Sequence, residues 1–197
     1  MLRNALKLTR EYHMRIGQFL QLWVPSYCWV IPLFELGGSS NECWIGLTPG
    51  RRAPSHCTAP GKALLAHRVY WRETVLKAPL KRYTEGTIVD VAMLRSNLAQ
   101  AEALGYAVDR GEYVATLGGV AAPVRDHHGD VIAALGLAAA VDKLSGRALD
   151  ELSETVVEAA RGLSRLLGHD REVSTLRGAD DADPLFAMMP GSRSHAA

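Results

Sequence analysis

The sequence predicts an α+β domain in which helices are segregated on the faces of an antiparallel sheet. Two groups of short β-type runs flank a stretch of helical patterns, and a long amphipathic helix follows the second group. The chain has 197 residues, of which 48% are hydrophobic, so it is long enough to bury one real core. A formal net charge of +1 gives no bulk attraction to nucleic acid or to an anionic membrane, so binding of either kind requires a local patch.

The pattern of the first half of the chain predicts a helix followed by a β-hairpin. Apolar residues recur at helical spacing until Gly17, and two runs rich in aromatic and β-branched residues are then separated by Pro25-Ser26. Pro32 restricts the second run to a sheet edge or a bulge. We therefore expect a helix over 2–14, strands over 18–24, 27–36 and 43–47, and turns at Pro25-Ser26 and 37–41.

The second half carries clearer start and stop signals. Thr58 is placed to cap a helix that has Pro60 in its first turn, and Asp90 and Gly105 bracket a longer helical pattern. Apolar residues step by three and four toward Gly168 in the final helix. We expect helices over 58–66, 71–77, 90–104 and 149–166, and strands over 106–108, 120–125 and 131–139.

Composition divides the chain into three parts. Residues 1–17 form an N-terminal helix or linker remnant, 18–169 form one folded domain, and 170–197, which lack periodicity, form a disordered tail. The longest apolar run, 131–141, is well short of the ~20 residues that a membrane helix needs. Three irregularly spaced cysteines predict neither a disulfide framework nor a zinc site, so the expected setting is the reducing cytoplasm, without a metal or other cofactor.

The segment from Cys57 to Lys62 places several chemically active side chains at the start of a helix. Unsatisfied N–H groups there are able to bind a carboxylate or phosphate, whereas the alternative is that Thr58 caps the helix and nothing binds. The local residues leave both interpretations open. Lys62 lacks the upstream glycine and the following Ser or Thr of a phosphate loop, so that motif is set aside.

Cys57 raises the possibility of nucleophilic or redox chemistry, because a thiol at a helix start can have a lowered pKa. His56 is a poor candidate for its general base, because the side chains of adjacent residues usually point apart. Nothing in the sequence selects another base from His67, His127 and His128. The residues favour a small buried cysteine instead. The pair His127-His128 indicates a solvated turn rather than a metal site, because no third ligand is fixed.

Asp109 follows a short predicted strand and opens a polar stretch ahead of Gly118-Gly119. A carboxylate at a strand end can hydrogen-bond a ligand hydroxyl. The local sequence alone favours a solvated turn residue.

Four motifs, in this order and spacing, carry a family resemblance: HCTAPGKALLA (56–66), GYAVD (105–109), GVAAPVRD (119–126) and GDVIAAL (129–135). They resemble the effector-binding domain of IclR-type transcriptional regulators, over most of residues 18–168. The resemblance implies a GAF/profilin-like antiparallel sheet with flanking helices. It also implies a sensor rather than an enzyme, which binds a small, often carboxylate-bearing metabolite and associates into dimers or tetramers.

By matching motif positions, the resemblance implies an effector pocket. Its expected lining is Ala59, Pro60, Asp109, Gly119, Gly136 and Ala138. Gly136 and Ala138 stand where many members carry Ser, so we expect a roomier and more apolar pocket and a larger or aromatic carboxylate as ligand. The alternative from another class is a small GAF-fold enzyme or redox protein that uses the Cys57 thiol.

Members of this family carry a winged helix-turn-helix ahead of the sensor. About 17 residues precede the first predicted strand, fewer than an independent domain of ~50 residues needs. We therefore expect no specific DNA binding by this chain alone, and control of DNA binding through a full-length protein or partner. The expected partners are a small organic acid and other copies or full-length relatives, and not a membrane.

Overall fold

One six-stranded antiparallel sheet organises the molecule. The computed structural model describes residues 20–36 and 52–169. Spatial order along the sheet is β3-β2-β1-β6-β5-β4, so β1 pairs with both β2 and β6. The strands are β1 (Leu20–Ser26), β2 (Trp29–Leu36), β3 (Ala53–Pro54), β4 (Ala107–Val114), β5 (Leu117–Arg125) and β6 (Val131–Ala140).

Helices cover both faces of this sheet. A 3-10 turn, Ser55–Cys57, leads into α1 (Ala59–His67), α2 (Val69–Leu76) and α3 (Val91–Leu104) on one face; a second 3-10 turn, Val141–Lys143, leads into α4 (Gly146–Leu166) on the other. The α+β class with an antiparallel sheet is therefore confirmed.

The alternation of side chains along β5 separates two buried cores. Val120 and Val124 point toward α4 and pack with Val156 and Leu163, whereas Ala121 faces α1. Burial on both faces explains why β5 and β6 read as nearly continuous apolar runs. The small residue at 121 lets α1 lie close to the sheet.

The hairpin between β1 and β2 turns later than predicted. Its turn residues are Tyr27 and Cys28, and Tyr27 adopts a left-handed φ of 52°, whereas Pro25 lies within β1 opposite Val30. Proline is tolerated there because β6 pairs only with 20–23, so no ladder hydrogen bond is required of Pro25 on that side. The prediction of a turn at Pro25-Ser26 was wrong for this reason.

Pro32 behaves as predicted. The register of β1 and β2 shifts between Leu22 and Trp23, which pair with Phe34 and Pro32, so Leu33 is the extra residue of a bulge. The third strand pairs only with Trp29 and Val30, which leaves Pro32 beyond its reach.

The longest helix of the first layer, α3, follows its signals closely. Asp90 Oδ1 accepts the Met93 N–H at 2.8 Å, and Gly105 adopts the left-handed conformation at φ 77°. The next strand, in contrast, runs from Ala107 to Val114 rather than ending at Val108. Its charged residues, which suggested a loop, are paired or buried, and Gly111 at φ 75° marks a register shift within the strand.

Several predictions fall outside the described residues. These are the helix over 2–14, the turn over 37–41, the strand over 43–47 and the tail over 170–197. The boundaries of the proposed domain, 18–169, stay a prediction. Within the described ranges, no helix is long and apolar enough to cross a membrane, and no cluster of three or more potential metal ligands occurs.

Candidate functional site

A pocket that is partly open to solvent lies between the sheet and the start of α1. All six residues expected from the sequence line it: Ala59, Pro60, Asp109, Gly119, Gly136 and Ala138. The remaining lining residues are Gln21, Trp23, Ala53, Thr58, Tyr113, Val114, Leu117, Gly118 and Leu137. Its mostly apolar wall suits a small organic molecule that a few polar groups hold in place.

The start of α1 lines this space with Thr58, Ala59 and Pro60. The Thr58 hydroxyl donates to Pro54 O at 2.8 Å and makes no capping bond, so the prediction that it caps the helix was wrong. The first bond of the helical pattern is from Lys62 N–H to Thr58 O, at 2.9 Å. The N–H groups of Ala59 and Gly61 precede that bond, and Pro60 has none, so two donors are left for an anion.

Gly61 fixes how closely this helix start approaches the preceding turn. A Cβ at Gly61 would lie 2.2 Å from Ser55 O and 2.4 Å from Ser55 Cα. Ser55 is itself held to the hairpin, because its N–H and its hydroxyl both donate to Cys28 O, at 3.2 and 2.9 Å. The helix start is therefore fixed relative to the sheet before any ligand binds.

Glycines on the sheet side of the pocket accommodate closely packed neighbouring atoms. A Cβ at Gly119 would meet Leu137 O at 2.6 Å, and one at Gly136 would meet Ala121 Cβ at 2.8 Å and Val120 O at 2.9 Å. The absence of a side chain at Gly136 therefore accommodates Ala121, and it does not add a full side chain of free volume. The expected apolar character is present, but the expected extra room at this position is not.

Asp109 is a pocket residue and not the solvated turn residue that its local sequence favoured. It lies within β4, opposite Gly119, and is only 7% exposed. Its Oδ1 accepts the Glu112 N–H at 2.7 Å, its sole hydrogen bond to the described part of the chain. The pKa of Asp109 is raised to about 7, chiefly by burial and also by the Glu112 charge, against the opposing effects of the Glu112 N–H and of Lys62.

A buried ion pair, which no local sequence pattern predicts, adjoins Asp109. Lys62 Nζ lies 2.5 Å from Glu112 Oε1, and the Lys62 side chain is fully buried. The second oxygen, Glu112 Oε2, is buried with no hydrogen-bond partner among the described atoms. One buried ammonium therefore faces two largely buried carboxyl groups.

Two threonines of the segment between α2 and α3 hold this part of β4. Thr87 Oγ1 donates to Glu112 O at 2.6 Å, and Thr84 Oγ1 donates to Gly111 O at 2.7 Å. They stabilise the irregular strand around Gly111 and so set the position of the Glu112 side chain.

Gln21 and Tyr113 add polar groups to the pocket wall that sequence reasoning missed. Gln21 is 6% exposed, lies opposite Gly136 in the sheet, and makes no side-chain hydrogen bond to the described residues. The signal for Gln21 was present, since a polar side chain alternates there with the apolar residues of a buried strand. Tyr113 carried no such signal, because its strand was predicted to end earlier.

Cys57 is buried, and burial together with the charges of Asp109 and Glu112 raises the pKa of its thiol well above the ordinary range. Burial also lowers the pKa of His56, whose Nε2 contacts Lys81 O at 3.0 Å rather than the Cys57 sulfur. A neutral, enclosed thiol is not a nucleophile. The pair His127-His128 lies in the turn between β5 and β6, away from the pocket lining.

Comparison with known proteins agrees with this geometry. The family model described as bacterial transcriptional regulator IclR C-terminal matches residues 38–165. The HTH-type transcriptional repressor AllR of Klebsiella pneumoniae is 37% identical over 123 residues, which make up 60% of this chain and 44% of AllR. The chain thus spans less than half the length of this curated relative.

Solved structures share the fold. The C-terminal domain of the E. coli transcriptional regulator KdgR is 28% identical with a TM-score of 0.73, over 85% of this chain and 98% of that one. An IclR homolog of Microbacterium hydrocarbonoxydans, complexed with 4-hydroxybenzoate, is 32% identical with a TM-score of 0.71, over 84% of this chain and 68% of that one.

Proposed function

The chain belongs to the IclR family of bacterial transcriptional regulators, whose C-terminal effector-binding domain it contains, and we propose that its pocket binds a monocarboxylate, preferably an aromatic one. The observation that carries this proposal is the convergence of free donors and an apolar cavity. The N–H groups of Ala59 and Gly61 offer a carboxylate two donors, and Trp23 and Tyr113 offer flat apolar surfaces for the rest of the ligand.

The relatives indicate regulation rather than catalysis. AllR is an HTH-type transcriptional repressor, and this chain is accordingly a regulatory domain and not an enzyme. The alternative in which Cys57 serves as a nucleophile or redox thiol finds no support in the buried thiol or in the relatives. The bound 4-hydroxybenzoate of the Microbacterium homolog supports the preference for an aromatic acid.

Binding of the effector would act on DNA through the regulator as a whole. We propose that this sensing domain does not itself read a DNA sequence, and that it associates into dimers or tetramers with its own copies or with full-length relatives. Exposed apolar side chains such as Leu33 (59%) and Met93 (63%) are available for such contacts. Because a transcriptional regulator works at the chromosome, the proposed location is the cytoplasm.

DNA binding and self-association are tested by separate measurements. A sequence-specific and salt-resistant mobility shift by this chain alone would contradict the proposal on DNA. A mass of one protomer at micromolar concentration, measured by light scattering, would contradict self-association.

Calorimetric titration against a panel tests the ligand class. The panel contains benzoate, 3-hydroxybenzoate and 4-hydroxybenzoate on one side, and glyoxylate and pyruvate on the other. We expect micromolar binding of at least one aromatic acid and weaker binding of the short acids. Micromolar binding of the short acids alone would refute the preference, and no binding of any acid would refute the proposed function.

A pair of matched variants places the binding in this pocket. Ala138 lines the cavity, whereas Ala140 lies two residues along the same strand, outside the lining and similarly half-buried. Ala138→Leu should fill part of the cavity and weaken binding at least about tenfold, which is ~1.4 kcal/mol. Ala140→Leu should keep the affinity within about twofold of the wild type.

A further inference from the structure

The charges beneath the pocket are unbalanced before any effector arrives. Lys62 supplies one positive charge, which Glu112 Oε1 contacts at 2.5 Å. Asp109 adds a second carboxyl group that receives a single backbone N–H. With both carboxyl groups ionised, this enclosed cluster carries a net charge of −1, and a bound carboxylate would bring it to −2.

Among the described residues, no further cation near Asp109 offsets that charge. The titratable groups near it are Lys62 of α1, Glu112 and Tyr113 of its own strand, and the Cys57 thiol of the turn before α1. The other described strands of the pocket, β1, β3, β5 and β6, contribute Gln21 and apolar or glycine residues. Two like charges in a region of low dielectric repel strongly, so one of them must be neutralised or excluded.

Resting on the proposed function, we infer that effector binding is linked to the uptake of one proton by Asp109. The proton comes from solvent and converts the Asp109 carboxylate to the neutral acid, whose O–H then donates to the effector. Asp109 thereby determines specificity. The neutral acid allows an anionic effector to bind, and the ionised carboxylate repels it.

The titration properties of the neighbouring groups fit this account. Because burial and Glu112 raise the pKa of Asp109 to about 7, the residue changes protonation within the range in which the protein can be studied. His56 lies near Glu112 and Lys62, and burial lowers its pKa, which favours the neutral imidazole. Burial and nearby negative charge likewise keep the Cys57 thiol protonated.

The probes for the test are benzoate and pyruvate, which are ionised above pH 6 and carry no second titrating group in that range. Their dissociation constants are measured by calorimetry from pH 6 to pH 8.5. Because only the protonated fraction of Asp109 is competent, the dissociation constant should rise by about 10- to 30-fold across that range. At pH 8, nearly one proton should be taken up per bound ligand. The binding enthalpies measured in phosphate and in Tris should therefore differ by nearly the full difference between the ionisation enthalpies of the two buffers.

Two variants assign the proton to its site. Asp109→Asn keeps a hydrogen-bond donor without a titrating group, so it should bind with a flat pH profile and no proton uptake. Glu112→Gln removes the neighbouring negative charge, so the loss of affinity should begin at a lower pH than in the wild type.

The possible results separate the two levels of the proposal. Wild-type binding with a flat pH profile and identical proton balance in both buffers would overturn the proton linkage alone. Proton uptake that persists in Asp109→Asn would also overturn it, because another group would then hold the proton. If neither probe nor any other acid of the panel binds at any pH, the proposed function itself fails.

Discussion

Lys62 Nζ and Glu112 Oε1 lie 2.5 Å apart in the interior, although the two residues are 50 positions apart in the sequence. This contact ties the start of α1 to the irregular part of β4. It therefore joins the two elements that carry the backbone donors and Asp109. The geometry of the pocket depends on a charge pair that faces away from solvent.

Removing one partner of this pair should be costly. Lys62→Met leaves Glu112 and Asp109 as buried carboxyl groups without a cation, and we expect a loss of about 3–5 kcal/mol in the free energy of unfolding. The double variant Lys62→Met/Glu112→Met replaces the pair with apolar side chains of similar volume and should recover much of that loss. Urea denaturation measures both. A double variant no more stable than Lys62→Met would contradict the coupling.

Gly61 tests the close approach of α1 to the turn before it. Helix propensity alone predicts that Gly61→Ala stabilises the protein by roughly 1 kcal/mol. The Cβ would, however, lie 2.2 Å from Ser55 O, and backbone atoms cannot swing away as a flexible side chain can. We expect a net loss of about 2 kcal/mol or more in unfolding free energy.

Gly86→Ala is the matched control for Gly61→Ala. Its nearest contact, Gly111 O at 3.4 Å, is an ordinary van der Waals distance. The control should change stability by no more than about 0.5 kcal/mol. Equal effects of the two substitutions in thermal or urea unfolding would show that the close approach at Gly61 is not the determining factor.

His67 should make the protein less stable in acid. Burial, and then the charges of Arg125 and Arg72, lower the pKa of His67 to about 4 from an ordinary value of 6.5; Arg125 Nη2 lies 3.3 Å from its Nδ1. The unfolded chain therefore binds the proton first, and the free energy of unfolding falls as the pH drops from 6.5 toward 4. The full effect is on the order of 3 kcal/mol.

His67→Gln removes this titrating group and should flatten the decline. The measurement is the unfolding free energy of wild type and variant at several pH values between 7 and 4.5. We expect the wild type to lose about 2 kcal/mol more than the variant over this interval. Parallel curves would mean that His67 titrates alike in the folded and unfolded states.

Cys57 should behave as a small apolar core residue. It is buried while Cys28 is half-buried, so a thiol reagent applied to the native protein should modify Cys28 first and Cys57 only after unfolding. Cys57→Ala should keep effector affinity within a few-fold. Mass mapping of the labelled protein checks the first expectation and calorimetry the second; fast native labelling of Cys57 would reopen the thiol chemistry that the structure argues against.

The parts of the fold that were predictable from sequence are those that local signals determine. Asp90 and Gly105 bracket α3 as expected, because a side-chain cap and a left-handed glycine act within one helical turn. The hairpin turn was misplaced because Pro25 is a turn signal in isolation. Its position in the sheet, beyond the reach of β6, makes it acceptable within a strand.

The site divides in the same way. Ala59, Pro60 and Gly119 were expected from motif positions and lie around one cavity. The environment of Asp109 was missed, because it depends on Lys62 and Glu112, whose pairing no local pattern encodes. The charged residues of β4 suggested a loop rather than a strand. The cation that neutralises Glu112 is Lys62, which lies on α1.

The central claim is that a carboxylate binds at the start of α1, against the glycine-lined sheet. Titration of benzoate into ¹⁵N-labelled protein, followed through the backbone amide signals, tests it most directly. We expect the largest chemical-shift changes at Ala59, Gly61 and Gly119 and no change at Glu154 on α4. The dissociation constant from this titration should match the one from calorimetry. Saturable binding whose largest shifts fall elsewhere, with these three amides unmoved, would contradict the claim.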